Sequence, residues 1–206
     1  MARTVKIVQA ATDDSLFEGG HITNVLGYGT LLRDILAPIH TQFAKQLGYT
    51  FKFEVNNCNV HPFWMKAHMI TEAINEGFDR VVWLDSDAIW LGDPIDMSLT
   101  TVFGMTYHDG CGAYESHFNA GVLYVNNHNG MAYKSVAKWY AEQVNTFHDQ
   151  NVLNTNHLEE ITRLGHEWNS SEWIAHYSAP NPKVVAWHGC PNRIERMMKF
   201  IENKQL

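Results

Sequence analysis

The stretch Val81-Val82-Trp83-Leu84-Asp85-Ser86-Asp87-Ala88-Ile89-Trp90 constrains the fold of this chain more than any other. Its first residues are β-branched, aromatic or aliphatic, with no polar alternation, so the segment reads as a strand buried on both faces. It stops at two carboxylates one residue apart, and the chain then turns apolar again. A strand of that kind implies a sheet covered by helices, and in open α/β sheets ligands gather beyond the carboxyl ends of the strands. Asp85 and Asp87 fall at such an end. Carboxylates held in a turn among apolar residues are costly to desolvate unless something positive neutralises them. A hard divalent cation with oxygen ligands would do so. An N-cap aspartate followed by a solvated turn aspartate fits the same letters, so the rest of the chain has to decide.

Strands and helices alternate along the sequence. Residues 6–11 form a buried run, followed by the polar segment Thr12-Asp13-Asp14-Ser15. Leu32, Ile35, Leu36, Ile39, Phe43 and Leu47 keep helical spacing, with Pro38 as a point of kinking or restart. Residues 50–55 alternate as a strand. Phe63, Ala67, Ile70 and Ile74 mark an amphipathic helix that Gly77 ends. Strands are expected over 102–107, 121–125 and 184–187. Helices are expected at Ala132, Val136, Trp139, Tyr140 and Val144, over 149–164, and at Ile194, Met197, Met198 and Ile201. The pattern predicts an α/β fold with a mixed, mostly parallel sheet flanked by helices.

Composition narrows the class. With 206 residues, 45% of them hydrophobic and 12% aromatic, residues 1–206 are expected to form a single domain around one sizeable core. Lys and Arg number 15 against 22 Asp and Glu, giving a net charge of -7 without basic runs, which speaks against nucleic-acid binding. An acidic chain that handles an anionic phosphate needs a cation or a few well-placed bases. Cys58, Cys111 and Cys190 cannot all pair with one another and read as reduced thiols. The first apolar stretch, 5–10, is too short for a signal peptide or a membrane span, so a cytoplasmic location with no membrane span is expected. The twelve histidines come without an HExxH or CxxC pattern that would point to zinc.

Four further segments hold polar residues in apolar surroundings. In His117-Phe118-Asn119-Ala120-Gly121-Val122-Leu123, small residues before a strand allow close approach to the backbone, and Asn119 offers donors and acceptors to hydroxyls. In His148-Asp149-Gln150-Asn151, Asp149 is either a helix cap or, with Gln150, a clamp for neighbouring sugar hydroxyls. His188, in Trp187-His188-Gly189-Cys190, is either structural or the third ligand of a cation, and imidazole with carboxylates suits manganese better than calcium. Lys66 reaches the strand's carboxyl edge only if its helix starts there.

Together, VVWLDSDAIW, HFNAGVLYVN, HDQNVLN and AWHG resemble the metal-dependent glycosyltransferases of the GT-A fold, the DXD-motif enzymes. The similarity is to retaining members of the lipopolysaccharide α-galactosyltransferase and glycogenin kind, and to α-galactosyl/mannosyl- and xylosyltransferase-like families. It spans residues 5–190, and the ordered pair FNAGVL and DQxxLN is its most specific part. The resemblance implies a Rossmann-like nucleotide-sugar-binding domain that transfers a hexosyl or pentosyl unit from a UDP-sugar or GDP-sugar, the UDP-sugar favoured, to a glycan or other hydroxyl acceptor, with retention. It implies that Asp85, Asp87 and His188 hold Mn2+ or Mg2+, with Asp85 also near the donor ribose. It implies donor contacts from Ala10, Ala11, Thr12, Lys66, Ser86, Asn119, Ala120, Gly121 and Gly189, and a catalytic role for Asp149 and Gln150 beside the reacting carbon.

Departures from the pattern are also visible. Cys190-Pro191-Asn192-Arg193 stands where galactosyl members carry a lysine and tryptophan, making Arg193 a candidate substitute for the phosphate ligand. Residues 18–24 and Tyr28 have no counterpart, and the long C-terminal membrane-association tail of some bacterial members is missing. The acceptor side is expected on 111–116 and 166–173. Two rivals use the same residues: a metal-dependent nucleotidyltransferase or phosphohydrolase, which would call for more clustered acids or a Gly-rich phosphate loop, and a non-catalytic carbohydrate-binding protein, which would not need Asp85, Asp87 and His188 together.

Overall fold

Every side chain of Val5–Thr12 is buried, the polar Lys6, Gln9 and Thr12 along with Val, Ile and Ala, as in a strand whose sheet is covered by helices on both faces. The computed structural model that shows this describes residues 4–12, 27–56, 61–95, 99–108, 118–145, 149–190 and 192–206. Its strands are β1 (Val5–Thr12), β2 (Thr50–Asn56), β3 (Arg80–Leu84), β4 (Ala88–Trp90), β5 (Phe103–Tyr107), β6 (Phe118–Asn126), β7 (Ile161–Leu164), β8 (Ser170–Ser171) and β9 (Val184–Ala186). Its α-helices are α1 (Tyr28–Leu47), α2 (Met65–Asn75), α3 (Tyr133–Ala141), α4 (Asp149–Asn156) and α5 (Arg193–Lys204). The main sheet has the order β2-β1-β3-β6-β5-β7, and β4-β9-β8 form a second, smaller sheet. β1 runs parallel to β2 and β3, β6 runs antiparallel to β3 and β5, and β7 is parallel to β5. This is the mixed α/β architecture that the alternating pattern predicts.

The two faces of the sheet follow the strand period. Val8, Val81 and Trp83 pack with α2, α3 and α4 side chains such as Ile70, Trp139 and Leu153. Ile7, Val82 and Leu84 point the other way, toward Trp90, Tyr124 and Trp168. A third cluster joins Leu32 and Leu36 of α1 to Val185, Trp187, Met197 and Ile201.

Connectivity gathers several segments at one sheet edge. β1 and β3 are parallel, so Thr12 and Asp85 emerge together. α2 returns along the sheet before β3, which brings its N-terminal Lys66 to that edge. β6 is antiparallel to β3, so its first residues arrive there, with Leu84 opposite Val122. Ala88 pairs with Ala186, which carries the chain after β9 past Asp87.

Several boundaries differ from expectation. The helix expected over 149–164 stops at Asn156, because His157 leaves helical geometry at φ -130 and Ile161 and Thr162 pair with Phe103 and Gly104. The β-branched pair joins the sheet edge where a helical reading saw only continued spacing. β6 begins at Phe118 and not at 121, since the Asn154 side chain accepts from the Phe118 N–H at 3.0 Å and donates to its carbonyl at 2.9 Å. β1 reaches Thr12, Phe63 precedes α2 in a 3₁₀ turn, and Val144 is exposed beyond α3. α1 continues through Pro38. β4, β7 and β8 are too short for periodicity to reveal. Residues 13–15, 18–24, 111–117 and His148, named above, lie outside the described residues. Among the described residues no helix is long and apolar enough to cross a membrane.

One polar thread runs through this interior. His40 of α1 has no exposure. Its Nε2 accepts the Trp90 N–H at 3.1 Å, so the ring proton sits on Nδ1, which donates to Gln9 Oε1 at 3.1 Å. Burial pushes the His40 pKa down to about 3. The folded state therefore holds the neutral ring while the unfolded chain titrates near 6.5. Stability from this group is complete above about pH 6.5 and is lost as pH falls toward 3. At pH 5 the loss from His40 should be about 2 kcal/mol. Urea unfolding at pH 7.5 and pH 5 will read it, with the difference shrinking in His40→Gln. An equal loss in that variant would assign the slope to other groups.

Candidate active site

The Asp85–Asp87 turn is held by its backbone. The Ala88 N–H donates to Asp85 O at 3.0 Å, the Asp85 N–H to Gly121 O at 2.7 Å, and the Trp187 N–H to Asp87 O at 3.0 Å. With the main chain pinned from three directions, the carboxylates project from the edge in fixed directions.

Asp87 is buried, and its two oxygens have different surroundings. Oδ2 accepts from Arg193 Nη1 at 2.9 Å. Among the described residues Oδ1 has no hydrogen-bond partner, and it lies 3.3 Å from His188 Nδ1. Burial pushes this carboxyl up, but His188 and Arg193 outweigh burial and hold it at about 2. Asp85 Oδ1 accepts from the Trp83 indole N–H at 2.6 Å and lies 3.4 Å from Lys66 Nζ. Burial raises the Asp85 carboxyl above its ordinary range despite the nearby Lys66 and His188.

The His188 ring is oriented from behind. Asn169 Nδ2 donates to Asn119 Oδ1 at 3.0 Å, which leaves Asn169 Oδ1 to accept from His188 Nε2 at 2.9 Å. The Nδ1 lone pair of a neutral ring then faces Asp87 Oδ1. Burial alone would lower the His188 pKa, and Asp87 raises it above the ordinary value. Two lone pairs at this distance need a proton or a cation between them. Ligand atoms of Asp85, Asp87 and His188 lie within 4.8 Å of one another, and the three could hold a metal ion. Two carboxylate oxygens and an imidazole nitrogen suit a divalent ion of borderline hardness. The buried, unbonded Asp87 Oδ1 is the sort of atom such an ion would satisfy.

Gly121 makes room for this ring. A Cβ there would stand 2.1 Å from His188 Cε1 and 2.6 Å from Nε2. The close approach read from Asn119-Ala120-Gly121 is, on this side of the strand, an approach by His188. The irregular register between β5 and β6, where Met105 pairs with Leu123 and Thr106 with Asn119, falls over these residues. Asn119 Oδ1 also accepts from the Gly121 N–H at 2.8 Å, and the Ala120 N–H donates to Gln150 Oε1 at 2.9 Å.

Lys66, at the start of α2, is buried at the same edge. Its Nζ donates to Ala120 O at 3.1 Å and lies 2.9 Å from Asp149 Oδ2. Burial would lower the Lys66 pKa, and Asp149 and Asp85 more than reverse that. Asp149, the first residue of α4, is held by the Trp139 indole N–H on its carbonyl at 3.1 Å. Ala10, Ala11 and Thr12 are buried at the end of β1. Ser86 is half-buried in the turn, and Gly189 has φ 64 in the tight turn where the Cys190 N–H reaches Trp187 O at 2.9 Å.

Sequence reasoning missed Gln9, His40 and Asn169, and missed Arg193 as the partner of Asp87. Gln9 had a usable signal, as an amide in the middle of the mostly apolar run 7–11. Asn169 had none, because its partners come from β6 and from the turn after β9. Tyr28 also lies here: burial raises its hydroxyl to about 12, and Ser86, Arg193 and Asp87 are among its neighbours.

The family model of the nucleotide-diphospho-sugar transferases matches residues 39–172, and this chain belongs to that family. No curated protein matches it. Among solved structures, a glycosyltransferase involved in glycosylation of the major capsid of PBCV-1 is similar at 16% identity and a TM-score of 0.69, over 95% of this chain and 98% of that one. The galactosyltransferase LgtC, solved with donor and acceptor sugar analogues, is similar at 16% identity and TM-score 0.56, over 91% of this chain and 87% of that one. The glycosyltransferase GlyE of Streptococcus pneumoniae TIGR4 is similar at 17% identity and TM-score 0.54, over 90% of this chain and 54% of that one. The fold is that of GT-A glycosyltransferases.

Removing the ammonium from the Lys66 cluster leaves Asp149 buried without its cation and takes a partner from half-buried Asp85. Lys66→Met should cost about 3–5 kcal/mol in urea unfolding at pH 7. A loss below about 1 kcal/mol would mean that water reaches the pair and screens it.

Proposed function

We propose that this nucleotide-sugar transferase moves one hexosyl or pentosyl unit from a UDP-sugar, or less favourably a GDP-sugar, to a hydroxyl of a glycan or other acceptor. In this reading a divalent cation, Mn2+ or Mg2+, is held by Asp85, Asp87 and His188, and the anomeric configuration is retained. The observation that carries the metal part is the buried Asp87 Oδ1, which has no hydrogen bond among the described residues and lies 3.3 Å from His188 Nδ1. When bound, the cation supplies Lewis-acid stabilisation of the diphosphate leaving group.

The chain's own residues do the rest. Ala10, Ala11 and Thr12 receive the nucleotide base at the end of β1. Ser86 and Gly189 lie along the nucleotide diphosphate, and Arg193 adds positive charge beside Asp87. Asn119, Ala120 and Gly121 face the donor sugar. Gln150 gives its Oε1 to the Ala120 N–H at 2.9 Å, so its contribution to a sugar is its amide N–H pair. Asp149 lies 2.9 Å from Lys66 Nζ, an ion pair that fixes where the carboxylate points. In the retaining reading the departing phosphate takes the acceptor's proton, and Asp149 orients the sugar and stabilises positive charge on its ring.

Calorimetry with Mn2+ and a nucleoside diphosphate tests the metal site. Asp87→Ala should lose cation-dependent binding altogether, and unchanged affinity would remove the central claim. NMR of the first-formed product, with whichever UDP- or GDP-sugar the enzyme hydrolyses or transfers, tests the stereochemistry. Retention is expected. An inverted product would overturn the retaining reading and make Asp149 the leading candidate for general base.

A further inference from the structure

The carboxylate turn hangs from the buried polar thread of His40 and Gln9. Gln9 Nε2 donates to Asp85 O at 2.9 Å and to Ala88 O at 3.0 Å, the two carbonyls that bracket the turn. Gln9 Oε1 takes the His40 Nδ1 proton, and His40 Nε2 takes the Trp90 N–H. Neither residue has any exposure. Apolar side chains of similar size would fill the same space without the cost of desolvating an amide and an imidazole. The polar pair therefore contributes direction. Because the Trp90 N–H can only donate, the proton order runs one way: Trp90 to His40, His40 to Gln9, Gln9 to the turn. The order fixes the His40 tautomer and the Gln9 amide orientation together. It ties helix α1, strand β1 and strand β4 to the segment that aims Asp85 and Asp87 at His188.

We propose that Gln9 and His40 are positioning residues that set the cation affinity of the Asp85–Asp87–His188 cluster by fixing the turn that carries the carboxylates. The inference rests on the metal-binding reading above. Partners behind the ligands of a metal site typically change its affinity by roughly 10–100-fold when they are removed.

The test uses Mn2+ alone, titrated into the 206-residue chain at pH 7.5 with free Mn2+ counted by electron paramagnetic resonance. Each protein is also melted without cation, and binding is read well below each melting temperature. Gln9→Met and His40→Phe should bind Mn2+ about 10–100-fold more weakly than wild type while folded. His40→Gln can accept from the Trp90 N–H and donate to Gln9 Oε1, and should regain most of the affinity. A purely structural role would lower the melting temperature and leave Mn2+ affinity unchanged, and that result overturns the inference. Should Gln9→Met fail to fold, the His40 pair decides: equal affinity in His40→Phe, His40→Gln and wild type overturns it. Wild type that does not bind Mn2+ sinks the metal reading and this inference together. Wild type that binds while the variants bind equally well sinks this inference alone.

Discussion

Asp87 Oδ1 and His188 Nδ1 face each other at 3.3 Å, the carboxylate buried and the ring half-buried, and the rest of the sheet edge is organised around that approach. The carboxylate is fixed through its backbone by Trp187 and through its other oxygen by Arg193. The imidazole is fixed by Asn169, and Asn169 by Asn119. Gly121 leaves the volume into which the ring fits. Each constraint removes a way for the two atoms to relax apart. Without a cation, a proton relieves the contact, and Asp87 draws the His188 pKa up against the effect of burial. A preformed gap between two ligands needs little reorganisation when a cation enters, which is the arrangement a binding site gains from.

Charge at this edge is closely balanced. Asp85, Asp87 and Asp149 bring three carboxylates, and Lys66 and Arg193 bring two permanent cations. Lys66 lies between Asp85 and Asp149, and Arg193 is spent on Asp87. Three negative charges, two of them buried and Asp85 half-buried, against two positive leave a site that attracts further positive charge. A bound divalent ion would reverse the sign and make the edge attractive to a diphosphate. An overall acidic chain, at -7, can in this way accept an anionic donor without a basic surface.

The fold was legible in proportion to how local its causes are. The run VVWL needed no partner to be read as a buried strand, and the period of α1 survived Pro38. The helix expected over 149–164 failed because Ile161 and Thr162 answer to β5, which local spacing cannot see. The candidate site divides in the same way. Asp85, Asp87, His188, Lys66, Asn119, Asp149 and Gln150 could be named from the chain, and the structure brings them to one edge. Asn169 could not, because it matters only where β6, β8 and β9 converge. Gln9 could have been found: a lone amide in an eight-residue buried strand calls for a partner.

The pairing of Asp149 with Lys66 bears on how such an edge can do chemistry at all. A general base must be able to accept a proton as the acceptor hydroxyl reacts. Asp149 is buried and its Oδ2 lies 2.9 Å from Lys66 Nζ, so an ion pair inside the protein sets its direction. In the proposed reaction the departing phosphate is the alternative acceptor, since it gains negative charge as the donor bond breaks and lies on the cation side of the edge. The Lys66 contact with Ala120 O adds a second restraint, tying α2 to β6. Asp149 is then suited to holding a fixed negative charge near a ring that becomes electron-poor, and its burial strengthens that effect by keeping water away.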